Sequence, residues 1–192
     1  NNLLEDFLDE KIFIEHECGS LYSAGDLYYD IDEHLIDLKA FSNHLCYLSF
    51  KTREYFSDNT DWENIVNGKF NSFVPDSFVT DTLLSRKNKL DTIKTLKNEN
   101  TSLHFYHFLA KNDIYDDEIS DLPFFNTQDE VVDDFDDKFI FFPSSIGETI
   151  CKSDWLSNID IEFISTKYDS SVTEYFEKNL GVKSYSNEII AK

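Results

Sequence analysis

The chain has 192 residues, room for one ordinary domain or two small ones, and its 17 basic and 38 acidic side chains leave a net charge of −21. Such a surface repels phosphate backbones and anionic lipid alike, which excludes nucleic-acid binding through a basic groove and attachment to an anionic membrane. With 41% hydrophobic residues, among them 18 Phe and 10 Tyr, disorder is excluded as well, and a chain of this size is expected to bury about 70% of its unfolded surface.

Asn1–Lys11 reads as a short amphipathic helix with Leu3, Leu4, Phe7 and Leu8 on one face, and not as a secretory leader. Lys11–Asn59 then alternates short extended runs with helical ones. Phe13-Ile14 and Leu21-Tyr22, separated by a polar turn, predict a hairpin, and Leu45-Cys46-Tyr47-Leu48 predicts a later strand. Thr60–Leu122 is helical in pattern. Pro75 suits a first helical position ahead of Phe78, Leu83 and Leu84, while Leu90, Ile93 and Leu96 continue the periodicity. A further helix carries Leu103, Phe105, Tyr106, Phe108 and Leu109 and ends near Lys111. The break at Asn98–Ser102 offers Asn100, Thr101 and Ser102 as N-caps.

Pro123–Val182 returns to extended runs. Phe124-Phe125 and Val131-Val132 predict a second hairpin, and Ile161-Glu162-Phe163-Ile164 a strand alternating between two faces. Ser171 and Glu174 form a capping box for a helix with Val172, Tyr175, Phe176 and Leu180 on one face and Gly181 at its end. The longest purely apolar run, Phe139–Phe142, is far below the roughly 20 residues that a bilayer demands. The fold class expected is α+β, small sheets with helices packed against them.

The first and third stretches match in order. Phe13-Ile14 aligns with Phe124-Phe125, Asp26 with Asp137, and Tyr28-Tyr29 with Phe139-Ile140 at one fixed offset. The offset widens through Ser42-Asn43 against Ser157-Asn158 and Tyr47-Leu48-Ser49 against Phe163-Ile164-Ser165. It widens again at Tyr55-Phe56 and Asn59 against Tyr175-Phe176 and Asn179, as loop insertions would make it do. The expectation is one α+β region holding two related strand-hairpin/strand/helix units, 11–59 and 123–183, with a helical insertion over 60–122. Asn1 and the absence of methionine predict a piece excised from a larger protein.

Reactive chemistry finds few footholds. Cys18, Cys46 and Cys151 are odd in number and widely spaced, so they predict buried thiols in a reducing, cytoplasmic setting. His104 and His107 stand one helical turn apart but lack a third ligand, and His16, His34 and His44 are isolated. Asp116-Asp117-Glu118 and Asp133-Asp134-Phe135-Asp136-Asp137 could gather a divalent cation, yet no EF-hand spacing organises them, so solvated loops are expected. The five scattered glycines write no phosphate loop, and no serine or cysteine carries a nucleophile signature. Glu15, Glu54 and Glu162 have no partner in sequence that would make them acids or bases. No catalytic, cofactor or metal residue is expected, and no cofactor. The aromatics at matched places are expected to be core, while Trp62, Tyr115 and Tyr185 are surplus and suit an interface.

Leu122-Pro123-Phe124-Phe125-Asn126-Thr127-Gln128-Asp129-Glu130-Val131-Val132, then Asp154-Trp155-Leu156, Ile161-Glu162-Phe163-Ile164-Ser165 and Tyr175-Phe176-Glu177-Lys178-Asn179-Leu180-Gly181-Val182, form a pattern. It resembles the segments downstream of the Bergerat-fold (GHKL-type) ATPase domain in large sacsin-like proteins. The likeness covers 122–183 and, more loosely, the first unit, and it rests on hydrophobic pattern without catalytic residues. The ATPase motifs do not occur here, so no ATP-site residue transfers. The resemblance implies a non-catalytic coupling or protein-interaction module of a larger, ATP-dependent, chaperone-like intracellular protein. Its partners would be other proteins or other domains of the same chain, with no nucleic acid and no membrane. Two other readings compete: a divalent-metal-dependent enzyme domain using the acidic loops, and an acidic nucleic-acid mimic that occupies a basic partner.

Overall fold

The computed structural model describes residues 13–15, 21–29, 31–49, 70–135, 139–143 and 161–184, with only the backbone described at 13–15, 21–24 and 32. The predicted helix Asn1–Lys11, together with Cys18, His16, Glu54, Tyr55-Phe56, Trp62, Asp136-Asp137, Cys151, Trp155 and Tyr185, lies outside these residues. Small sheets and helices are mixed, as an α+β chain requires. The chain divides into two compact units, Asn1–Phe78 and Val79–Lys192.

In the first unit the predicted hairpin is present. β1 (Phe13–Glu15) pairs antiparallel with β2 (Leu21–Ser23), Ile14 opposite Tyr22. Tyr28 then makes a parallel bridge on either side. Its N–H donates to the Cys46 carbonyl at 2.9 Å and its carbonyl accepts from Leu48 N–H at 2.9 Å. Across the other edge Asn71 N–H donates to Leu27 and the Asn71 carbonyl accepts from Tyr29. Asn71 falls inside the stretch expected to be a helical insertion from residue 60, which is corrected here: at Asn71 the chain is still extended, closing a sheet. Between the bridges lies α1 (Leu35–Leu38), flanked by 3-10 turns. Leu27, Ile31, Leu38, Phe41, Leu45 and Leu48 are buried, and the Phe73 ring meets Tyr28 edge-on at 5.2 Å.

Pro75 opens α2 (Pro75–Ser77) as N1, its fixed φ suiting the first turn. The helix widens into a π-helical run over Phe78–Leu83, where Leu84 N–H reaches back to Val79 at 2.8 Å. The boundary between the two units falls at the start of this run. Side chains then collect its last carbonyls: Ser85 and Asn88 both donate to Thr82, and the buried Thr92 hydroxyl donates to Leu83.

After the π-helical run the second unit continues with α3 (Lys89–Leu96) and α4 (Glu99–Lys111). The break between them is two residues, shorter than expected, and the N-cap is Asn98, whose Oδ1 accepts from Thr101 N–H at 3.1 Å; Asn100, Thr101 and Ser102 are inside the helix. A 3-10 turn over Asp117–Asp121 leads to β3 (Phe124–Phe125), which pairs antiparallel with β4 (Val131–Val132). The hairpin turn is built by Asn126, whose Oδ1 accepts from both Gln128 and Glu130 N–H, with Asp129 at φ +60°. β5 (Phe139–Phe142) is the middle of a parallel sheet, with β6 (Ile161–Phe163) on one side and β7 (Lys183–Ser184) on the other. The hairpin continues this sheet past β6, Asn126 bridging Ile164.

α5 (Ser170–Asn179) links β6 to β7. Its N-cap is Asp169 and not Ser171: Asp169 Oδ1 accepts from Val172 N–H at 3.0 Å and from the Ser171 hydroxyl at 2.6 Å. Gly181 ends the helix at φ +70°, a conformation that an L side chain strains to reach, and lets Val182 N–H return to the Phe176 carbonyl.

An aromatic cluster fills this core. Tyr106, fully buried on α4, lies 4.9 Å from Phe176 and 5.8 Å from Tyr168 between ring centroids, both edge-to-face, while Phe135 stacks 4.3 Å from Phe124. Each buried phenol has a partner: Tyr106 donates to the Pro123 carbonyl, Tyr175 to the Ile114 carbonyl, and Tyr168 meets Ser102. The expectation that all matched aromatics are core needs correction. Phe163, Tyr175 and Phe176 are buried, but Tyr28, Tyr29 and Tyr47 are half-buried and Phe139 is 58% exposed.

Candidate functional site

Among the described residues, most candidate side chains from the sequence have structural partners. His107 Nδ1 lies 2.8 Å from Asp169 Oδ2 and so braces the N-cap of α5 against α4. Burial pushes the Asp169 carboxyl up, but bonds from Ser171, Val172 N–H and His107 outweigh it and hold it at about 2. His104 is half-buried one turn away, and among the described residues no three His, Cys, Asp or Glu gather as a metal site.

The acidic run at 116–118 is similarly occupied. Asp116 caps the 3-10 turn by accepting from Glu118 N–H, and Asp117 accepts from the exposed Tyr115 hydroxyl. Glu118 and Asp121 together hold Lys89 Nζ at 2.9 and 2.6 Å. Farther along, Asp133 pairs with Lys97 at 2.9 Å, and Lys167 bridges Glu99 and Asp129. Those hydrogen bonds, with Asp129 foremost, raise the Lys167 ammonium above its ordinary value. Glu162 accepts from Asn126 Nδ2 at 3.1 Å, tying β6 to the hairpin turn. Cys46 is half-buried with its thiol free of any disulfide, and His34 is buried beside Phe73.

What the sequence did not reveal is a crevice of about 420 Å³ at the carboxyl edge of the parallel sheet. Phe142 and Pro143 line it where β5 ends, Ser165 and Thr166 where β6 ends, and Ser184 at the end of β7. One face of α5 closes the side, presenting Thr173, Glu174 and Glu177, which the helical repeat stacks together. Open parallel sheets bind ligands at this edge, because connections leaving the middle strand and returning to its far side splay apart there. Chain order β6-β5-β7 makes β5 such a strand.

The crevice is polar in a particular way. Ser165 and Tyr168 are buried and already bonded, Ser165 to Lys167 N–H and Tyr168 to Ser102. Thr173 donates to the Ser170 carbonyl. Glu174 and Glu177, by contrast, have no ion pair or hydrogen bond through their carboxylates among the described residues, and both are exposed. No lysine, arginine or histidine is among the described lining residues. Among the described residues the site therefore offers two uncompensated negative charges beside hydroxyls and an apolar wall. A second cavity of about 370 Å³ lies between Tyr115, Asp116, Asp117 and the end of α5, but its carboxylates are engaged as above.

No family model matches the chain, and no curated protein or solved structure matches it either. Among the described residues no helix is long and apolar enough to cross a membrane.

Proposed function

We propose that this chain is a non-catalytic protein-interaction module whose partner presents a basic surface. The observation that carries the reading is the contrast between carboxylates. Those at Glu99, Asp113, Glu118, Asp121, Asp129 and Asp133 are matched by the chain's own lysines, whereas Glu174 and Glu177 face a crevice with no lysine, arginine or histidine among its described lining residues. An excess of 38 acidic over 17 basic residues adds a long-range field that draws in a cationic partner. As part of the same proposal, the module serves a larger ATP-dependent, chaperone-like protein in the cytoplasm, as the sequence resemblance implies.

The proposal also treats the two units as copies of one design. In each, the earliest of three parallel segments is central: Tyr28 between Tyr47 and Asn71, and Phe141 between Phe163 and Lys183. The hydrogen bond from Leu48 N–H to Tyr28 has its equivalent in Ile164 N–H to Phe141. This pairing aligns Tyr28 with Phe141, two residues beyond Phe139, and so keeps the same face inward.

Isothermal titration of the purified chain with a lysine-rich and a glutamate-rich peptide, at low and at raised salt, tests the reading. Binding of the lysine-rich peptide alone, weakened by salt, is expected. Indifference to both peptides overturns it.

A further inference from the structure

We infer that the crevice at the carboxyl edge of β5, β6 and β7 takes the side chain of a lysine or arginine presented by a partner protein segment; this rests on the interaction reading above and assigns it a place. The chemistry of the lining selects the head group. Glu174 and Glu177 stand one turn apart on α5 without partners among the described residues, so an ammonium or guanidinium entering between them meets charge that no described side chain neutralises. Thr166 and Ser184 add hydroxyl acceptors from the opposite strands. Phe142 and Pro143 provide an apolar wall suited to the methylene stem of a long cationic side chain. A volume of about 420 Å³ is at the small end of ligand pockets, right for one side chain and too small for a folded element. Phosphates, nucleotides and carboxylates are repelled by the same lining.

A second observation points to the same edge. Aligned by their strand hydrogen bonds, the two units carry the same kinds of residue where the three parallel segments end: Tyr29 and Phe142, Ser49 and Ser165, Ser72 and Ser184. Ser49 and Ser165 are both buried. On the duplication proposed above, an aromatic and two serines thus recur at this rim.

The test compares three proteins, wild type, E174Q/E177Q and the charge-matched control E130Q/D81N, whose two carboxylates are exposed and away from the crevice, by calorimetry and by amide chemical shifts, with a short lysine-rich peptide and with spermidine as ligands. Glutamine for glutamate and asparagine for aspartate keep size and nearly the same helix propensity at exposed positions, so folding is retained and circular dichroism verifies it. The inference expects the peptide to bind wild type, E174Q/E177Q to weaken it about tenfold, and the control to change it less than twofold. Peptide-induced shifts should centre on Thr166, Glu174, Glu177 and Ser184. Equal weakening by both variants would mean diffuse attraction, which overturns the site while the interaction reading stands. Spermidine binding as tightly as the peptide, through the same glutamates, overturns the protein segment as occupant. Absence of any peptide binding to wild type removes the interaction reading and this inference with it.

Discussion

Tyr168 and Ser102 meet hydroxyl to hydroxyl at 2.8 Å in the core of the second unit, and the Tyr168 oxygen also accepts from Phe125 N–H at 3.2 Å. One phenol thus joins the first turn of α4, the strand β3 and the turn ahead of α5. Tyr168→Phe leaves a buried amide and a buried hydroxyl short of a partner, and should cost about 1–3 kcal/mol by urea denaturation. Ser102→Ala should cost less, since the Phe125 bond survives. In a double-mutant cycle the pair should couple and not add.

Stability at low pH should report Asp169. Its carboxyl titrates at about 2 in the folded chain, below the ordinary value of 3.8, so its contribution is present above the unfolded pKa and is lost as pH falls through the folded one. Asp169→Asn keeps an N-cap acceptor but not the charge. The variant is expected to be less stable than wild type at neutral pH. The gap should close between about pH 4 and pH 2, measured as melting temperatures across that range.

At the alkaline end the buried phenols set the limit. Burial raises Tyr106, Tyr168 and Tyr175, with Tyr168 pushed up to about 12. A raised phenol favours the neutral form in the folded chain, so the stability it contributes is complete below the unfolded value near 10 and is lost as pH rises through the folded one. Absorbance of ionised tyrosine should therefore rise in two stages. The buried three should appear only late, together with loss of circular dichroism.

Gly181→Ala isolates a backbone effect. Nothing lies within 4 Å of an added Cβ, so any cost comes from φ +70° itself. A loss of about 1 kcal/mol is expected, seen as a drop of about 2–4 °C in melting temperature.

Much of this architecture can be read from residue order. Both hairpins, the proline start of α2 and the glycine end of α5 follow from local chemistry and occur where Phe13, Phe124, Pro75 and Gly181 indicate. Cap identity is harder. Asp169-Ser170-Ser171 offers three competent acceptors in a row, and only the packing of α5 against α4, through His107, selects the first. Asn71 joins its sheet through a single bridge, too short a run to leave an alternating signature. The crevice was invisible for a different reason. Its walls come from residues as distant as Phe142 and Ser184, and neither neighbourhood has a motif. Apolarity predicts burial on average, whereas Phe139, at the start of β5, faces outward.

The central place of β5 has a consequence for synthesis. Its two neighbours, β6 and β7, both lie C-terminal to it, so the apolar run Phe139–Phe142 leaves the ribosome before either flank exists. One side is covered once Ile161–Phe163 has emerged, the other only after Lys183–Ser184. Until then this ribbon waits on contacts that are far away in the chain, which makes the region slow to mature.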